Sequence, residues 1–387
     1  MNLELSEEQS AVRDLAAAFT DREIVPYAAE WDRAESVDRA VIGKLAGVGF
    51  LGLTIPEEYG GSGGDHLAYC LVLEELGRGD SAVRGIVSVS LGLVGKSINS
   101  YGTEEQKRYW LPRLTSGEAL GCFALTEPAT GSDAANLTTR AVRDGDDWLI
   151  SGAKMFITNG TWADVALVFA RTGGSEPDQQ GHRGITAFLV PTGLPGFGRT
   201  TIHGKLGLRG QATAELALDG VRVPDSARLG EVGKGFTVAM AALAKGRMSV
   251  AAGCVGIARA CLEAAVRYAG EREQFGRPIA SHQLVQELLA GIAVDVEAAR
   301  LLTWKVADHI DRGLPFATES SIAKLHASEA AVRAANNALQ VFGGYGFVDE
   351  YPVGKYLRDA RVMTLYEGTS QIHQLLIGRA LTGVNAF

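Results

Sequence analysis

Phe123-Ala124-Leu125-Thr126-Glu127-Pro128-Ala129-Thr130-Gly131-Ser132-Asp133 is the stretch on which the fold turns. An apolar, strand-like run enters a loop bearing Pro, Gly and hydroxyls, and the free amides of such a loop suit ring heteroatoms and phosphates. From about residue 121 the period stays that of strands. Residues 122–126, 138–143, 148–150, 154–158, 165–171, 185–190 and 214–218 all read as short strands. Asp144-Gly145, Asn159-Gly160 and Asp219-Gly220 stand between them as hairpin-turn dipeptides. No long helical period interrupts, so an antiparallel sheet or barrel is expected rather than alternating β/α units.

On either side the pattern is helical. Ser6-Glu7-Glu8-Gln9 and Thr103-Glu104-Glu105-Gln106 fit the capping box, in which a hydroxyl and a Gln side chain satisfy orphan amides reciprocally. Residues 36–47 and 66–77 carry apolar positions at three- and four-residue spacing, and 81–98 reads as a buried helix. Beyond 235, the Ala- and Leu-rich stretches 236–271, 283–311, 316–342 and 369–381 suit a bundle. The layout predicts an α+β protein. An N-terminal α-helical domain would cover 1–120, a middle antiparallel β-barrel-like domain 121–232, and a C-terminal four-helix bundle 233–387.

Composition bounds the function. At about 150 residues per domain, 387 residues imply two or three domains, and 46% hydrophobic with 21% charged is globular. The 37 basic and 45 acidic residues leave a net charge of −8 with no basic run, which argues against nucleic acid as partner. The charge-free stretches 184–198 and 334–348 are shorter than a bilayer span, so no membrane helix is expected. The acidic start Met1-Asn2-Leu3-Glu4 is unlike a signal peptide, and a cytoplasmic protein is expected. Cys70, Cys122, Cys254 and Cys261 form no Cys-x-x-Cys, and the seven histidines are scattered, so neither disulfide nor metal is expected. Glycine is in excess, 48 of 387, and much of it lies in helical pattern, which suggests close helix packing.

Three motifs are decoys by context. Gly47-Val48-Gly49-Phe50-Leu51-Gly52 lacks the strand a dinucleotide fingerprint needs before it. Gly60-Gly61-Ser62-Gly63-Gly64 spells a nucleophile elbow without a strand leading in, which leaves a Ser62 hydrolase as a weak competing reading. Gly95-Lys96-Ser97 has Ser90 where a phosphate loop would have its first Gly.

Five further blocks decide the function. They are Lys154-Met155-Phe156-Ile157-Thr158-Asn159-Gly160, Lys205-Leu206-Gly207-Leu208-Arg209-Gly210, Glu271-Arg272-Glu273-Gln274-Phe275-Gly276, Gln340-Val341-Phe342-Gly343-Gly344-Tyr345-Gly346 and Tyr366-Glu367-Gly368-Thr369-Ser370-Gln371-Ile372. With the opening stretch, in this order over nearly the whole chain, they resemble the acyl-CoA dehydrogenase family of flavoproteins. The resemblance implies noncovalent FAD. Thr126 and Thr158 would bond the flavin ring, Phe156 would lie against it, and Ser132 would sit near the pyrophosphate or the thioester. Phe123, Leu125, Gly131, Ile157 and Gln283 belong to the same implied cofactor set. Arg272, Phe275, Gln340, Val341, Gly343 and Gly344 would reach the cofactor of a neighbouring subunit, implying a homotetramer, and Thr369 and Gln371 would complete the site. Ala129-Thr130 and Gln211-Ala212 depart from the common family pattern without removing a reacting group.

The implied reaction converts an acyl-CoA to the trans-2-enoyl thioester. Glu367 matches the base that takes the Cα proton, flavin N5 accepts the Cβ hydride, and an electron-transfer flavoprotein receives the electrons. Some members carry the base before an Arg on a helix, but Gly246 stands there, before Arg247. Arg247, Tyr366, Glu367 and Gly368 would touch substrate, with a plain surface charge as the alternative for Arg247. An acyl carrier protein thioester is an alternative substrate, and a flavin-free structural relative an alternative protein. Asp80-Ser81-Ala82-Val83-Arg84 and the closing segment 377–387 resemble the glutaryl-CoA dehydrogenase subgroup, in which such an arginine meets a distal carboxylate. Arg84 could instead pair with Asp80 one turn away or extend to solvent.

Overall fold

The computed structural model describes residues 4–173 and 181–385, so Ala386 and Phe387 of the closing likeness lie outside it. The first part is helical: α1 (Glu7–Glu23), α2 (Ala28–Ala34), α3 (Val41–Gly47), α4 (His66–Gly79), α5 (Ser81–Val89), α6 (Lys96–Tyr101) and α7 (Glu104–Thr115). Both capping boxes close as the sequence predicts. Helix α3 begins later than expected. Val37 N donates to Gly210 O and the Asp38 carboxylate accepts from Ala40 N, which holds the preceding residues outside the helix. A π-turn, Ser90–Gly95, joins α5 to α6, and residues 81–98 of this run are buried throughout.

The middle part contains β1 (Gly121–Ala124), β2 (Arg140–Asp144), β3 (Asp147–Thr158), β4 (Val165–Arg171), β5 (Ile185–Pro191), β6 (Phe197–Thr201), β7 (Thr213–Pro224) and β8 (Arg228–Leu229). They form one sheet in the order β6-β7-β3-β2-β4-β5-β8, with β1 also on β4. The sheet is mixed rather than wholly antiparallel: β1 pairs β4 in parallel, and β2 meets β4 in parallel at Arg140 and Arg171. Of the three turn dipeptides only Asp144-Gly145 closes a hairpin, between β2 and β3. Asn159-Gly160 hands the chain from β3 to β4, which do not pair. Asp219-Gly220 lies inside β7 opposite a register shift in β3, where left-handed backbone serves a bulge as well as a turn. Strand β4 shows why the centre reads as continuously apolar. Val165, Leu167 and Phe169 face the helices while Ala166, Val168 and Ala170 face the sheet's second core.

The last part comprises α8 (Gly235–Glu271), a small hairpin of β9 (Glu273–Gln274) and β10 (Arg277–Pro278), α9 (Gln283–Asp311), α10 (Ala317–Phe342), α11 (Val353–Met363) and α12 (Ser370–Thr382). Helix α10 packs against α8, α9, α11 and α12, and α4 of the first part lies along α8. The helical glycines explain that approach. A β-carbon on Gly77 would meet Gly253 O at 2.6 Å, and one on Gly256 would meet Glu74 O at 2.1 Å, so the α4 and α8 backbones touch. Helix α8 and the Ser81–Tyr101 run are apolar and long enough to cross a membrane by composition, yet 78% and 100% of their most apolar windows are buried here.

The 205–210 loop seams the three parts together. Leu208 N donates to Asp359 on α11 at 2.6 Å, and Arg209 Nη2 donates to Glu35 after α2 at 2.6 Å. A β-carbon on Gly207 would lie 2.1 Å from Arg358 O, so only glycine lets the loop dock on α11. Arg358 itself pairs with Asp32 of α2.

Candidate active site

Glu367 stands in the turn between α11 and α12, with φ of 50° followed by 98° at Gly368. Thr369 caps α12 by accepting from Ile372 N at 3.2 Å, and Ser370 Oγ donates to Glu329 of α10 at 2.5 Å. These bonds tie the exit of the turn, while the carboxylate points inward. Its Oε2 is buried with no hydrogen-bond partner among the described residues. Burial raises its pKa to about 7, opposed by the charges of Arg84, Lys324 and Arg247. His373 lies under the turn, 2.9 Å from where a β-carbon on Gly368 would be, and burial pushes it down to about 3, so it is neutral. Val89, Leu93 and Ala242 form a small apolar cluster with Phe123 packed against it, and Leu93 also approaches Gly246 beside the base.

Arg84 departs from both bland expectations. It is 1% exposed, so it does not reach solvent, and Asp80 is engaged elsewhere, with Lys355 at 3.3 Å and Ala82 N at 2.7 Å. Arg84 Nη2 instead donates to the Tyr366 hydroxyl at 2.6 Å, and that hydroxyl donates to Met363 Sδ at 2.8 Å. Its Nε has no partner among the described residues. Gly253 makes the room, since a β-carbon there would lie 2.4 Å from Arg84 Cδ. Arg247 is not a plain surface charge either: it is half-buried and its Nη1 donates to Ser321 of α10 at 3.4 Å.

A second group gathers at the ends of β1 and β3. Thr126 follows β1, and Met155 N donates to its carbonyl at 2.9 Å, which ties the loop to β3. A register shift between Lys154 and Ile157 pushes Phe156 out of the ladder, at φ of 59° and 67% exposed. Leu125 and Ile157 point into the core, Thr158 is half-buried, and Gly131 and Ser132 lie on the exposed part of the loop. Beneath, Lys154 Nζ donates to Glu127 at 2.9 Å and to the carbonyls of Leu125 and Phe169. The Glu127 carboxylate also accepts from Thr138 N, Thr138 Oγ1 and Thr139 N. Burial alone would raise its pKa, but the Lys154 charge, helped by those donors, holds it down at about 2, so a fully bonded buried pair pins the loop from below.

The remaining expected residues lie apart from these. A cleft of ≈ 700 Å³ is lined by Arg272, Val341, Gly343 and Gly344 with Tyr268 and Tyr345, and none of Thr126, Phe156, Thr158 or Glu367 belongs to it. Arg272 lies 5.4 Å from the Tyr345 ring centroid. Beside the cleft, Phe275 and Gly276 form the two-residue turn of the β9–β10 hairpin, with φ of 55° and 74°, as a mirror-image hairpin turn requires. That turn thrusts Phe275 out, 92% exposed. Gln283, Gln340 and Gln371 are exposed at helix ends. Two open aromatics, a hydroxyl-bearing loop in which Thr130 Oγ1 is buried without a partner among the described residues, and a cleft that offers the Arg272 guanidinium fit a large planar cofactor with a pyrophosphate. One chain offers both halves of such a site but does not bring them together.

Comparison with known proteins agrees. Family models for the N-terminal, middle and C-terminal domains of acyl-CoA dehydrogenase match residues 6–118, 122–221 and 233–382. An acyl-CoA dehydrogenase of Bacillus subtilis is 44% identical over 381 residues, covering 98% of this chain and 100% of the relative. The mitochondrial short-chain specific acyl-CoA dehydrogenase of Homo sapiens is 42% identical, over 97% of this chain and 90% of the relative. A glutaryl-CoA dehydrogenase structure from Mycobacterium smegmatis superposes with a TM-score of 0.94 at 42% identity, covering 100% and 97% of the two chains. The chain belongs to the acyl-CoA dehydrogenase family, FAD-dependent oxidoreductases that act on CH–CH donors.

Sequence reading missed Lys324, the Glu127–Lys154 pair and the Tyr268, Tyr345 and Glu350 lining of the cleft. The decoys stay decoys. Ser62 lies on an exposed loop after a 3₁₀ turn rather than a strand, and Gly95-Lys96-Ser97 lies inside the α5–α6 run. Among the described residues no group of His, Cys, Asp or Glu is placed to hold a metal.

Proposed function

We propose that this chain dehydrogenates an acyl-CoA thioester to the trans-2-enoyl thioester, with Glu367 as the base that removes the Cα proton. The observation that carries the reading is the carboxylate itself, inward-facing, unpartnered at Oε2 and raised to about 7. A base so placed is half ionised at neutral pH, where proton abstraction is most effective. FAD, held noncovalently, would supply the acceptor for the hydride leaving Cβ. Thr126, Phe156, Thr158 and Ser132 would hold the cofactor on one subunit. Arg272, Phe275 and the 340–344 segment would close it from another, which favours a homotetramer. An electron-transfer flavoprotein would then take the electrons, and three domains at 1–120, 121–232 and 233–387 would carry these tasks. The test is anaerobic flavin bleaching by acyl-CoA in wild type and Glu367→Gln. The variant should keep its FAD and lose bleaching, and a variant that bleaches at the wild-type rate overturns the assignment. Parallel assays with acyl carrier protein thioesters separate the two carriers.

Arg84 favours a narrower substrate. A guanidinium this deeply buried with no carboxylate bonded to it among the described residues supports an acyl group that ends in a carboxylate, such as glutaryl, because that group would supply the counter-charge. Arg247, Tyr366 and Gly368 would line the same acyl path.

A further inference from the structure

Lys324 lies in the first third of α10 and is 0% exposed. An ammonium in such a place is costly unless it is bonded, and its Nζ donates to the Gly368 carbonyl at 2.7 Å. That carbonyl belongs to the residue after Glu367, in a turn where both residues occupy the left-handed region. A glutamate keeps that backbone only when its surroundings hold it there.

We propose that Lys324 is the positioning residue of the catalytic turn: it fixes the Gly368 peptide and so sets where the Glu367 carboxylate stands, an inference that rests on Glu367 being the base. The same cation lies close enough to act on the carboxylate electrostatically. Burial pushes Lys324 down to about 8 while Cys254 and Glu367 oppose that fall, and Lys324 in turn opposes the rise at Glu367. The other groups facing the base are Arg84 on α5, Tyr69 on α4, Arg247 on α8, Tyr366 beside it and neutral His373 on α12, while Cys254 on α8 and Glu329 on α10 face Lys324. His373 also lies against the Glu367 and Gly368 backbone, but both its ring nitrogens lack a hydrogen-bond partner among the described residues, whereas Lys324 donates to the Gly368 carbonyl.

The experiment measures flavin reduction by butyryl-CoA and glutaryl-CoA against pH in the FAD-loaded enzyme. Lys324→Met should retain FAD, lose about 10–100-fold in rate with KM changed less than about threefold, and move the rate–pH midpoint up by about one unit. Lys324→Arg, which keeps the charge, should hold the midpoint near that of wild type. A purely structural role would lower the melting temperature and leave the midpoint where it was. An unchanged midpoint with a rate within about twofold of wild type overturns the proposal. If Lys324→Met does not fold, Lys324→Gln, which keeps a donor without the charge, is read the same way and should show the midpoint shift with a smaller loss of rate. Glu367→Gln run alongside separates the two failures, because its retained activity would refute the base and not the lysine.

Discussion

A β-carbon on Gly246 would lie 2.3 Å from Oε2 of Glu367 and 2.8 Å from Leu93 Cδ2. The base therefore occupies the volume that any side chain at 246 would need. A carboxylate cannot stand at both places, and glycine at 246 is part of the geometry that lets Glu367 point inward. Gly246→Ala should displace the carboxylate and slow flavin reduction by about 10–100-fold while FAD content stays at the wild-type level. A rate within twofold of wild type would show that the carboxylate has room to spare.

Burial at Glu367 also carries a stability signature. Its pKa is raised from 4.5 to about 7, so the folded state binds the proton more tightly than the unfolded state. The stabilisation this gives is complete below about 4.5 and lost as pH rises through 7. Glu367→Gln removes the titration and should be more stable than wild type at pH 8, by on the order of 1–3 kcal/mol, with the gap narrowing towards pH 5. Thermal melts at both pH values check it; a gap that widens on acidification would contradict the sign.

The Glu127–Lys154 pair is 2% and 0% exposed; Lys154 bonds the Leu125 carbonyl just before Thr126, and Glu127, just after it, accepts from the Thr138 and Thr139 amides. Breaking such a pair strands one buried charge, so Glu127→Gln or Lys154→Met should each cost about 3–5 kcal/mol and weaken FAD retention. The double variant should recover part of the stability. Equilibrium unfolding and the flavin-to-protein absorbance ratio read both effects, and strictly additive single losses would count against a coupled pair.

Arg84→Ala separates the two acyl classes. If the guanidinium meets a distal carboxylate, KM for glutaryl-CoA should rise by about 100-fold while butyryl-CoA changes by less than about fivefold. Equal losses on both substrates would assign Arg84 to the electrostatics of Glu367 instead.

What the sequence disclosed and what it hid follow from the range of the interactions. The capping boxes at Ser6 and Thr103 are local, spanning three residues, and read straight from the letters. Strand β6, Phe197-Gly198-Arg199-Thr200-Thr201, has no apolar alternation because it lies at the edge of the sheet, and it went unseen. Asp219-Gly220 reads as a hairpin turn but forms a bulge, because the two ask for the same backbone. Helix α11 does not stand out in the letters, although its last turn leads into the Glu367 segment. Glu367, Thr126 and Phe156 could be picked out because they lie in motif blocks. Lys324 lies in an ordinary Ala-rich helix, and only the distant chain at Gly368 gives it a role. Arg84 stands out in the sequence, but its partner Tyr366 lies 282 positions away, beyond the reach of local pattern.

The 205–210 loop has a thermodynamic consequence. With Leu208 bonded to Asp359, Arg209 to Glu35, and Gly207 laid on the Arg358 carbonyl, neither the strands nor either helical part can melt without stripping hydrogen-bond partners from the others. The sheet's helix-facing residues share one continuous core with both helical parts, so the interfaces are as apolar as the interiors. Such a chain gives up its modular independence. A calorimetric scan should show a single transition whose van't Hoff and calorimetric enthalpies coincide per cooperative unit, rather than three overlapping peaks. A lesion in one part is then felt as a loss of the whole molecule, and damage at the loop is how a surface substitution far from Glu367 would silence the enzyme.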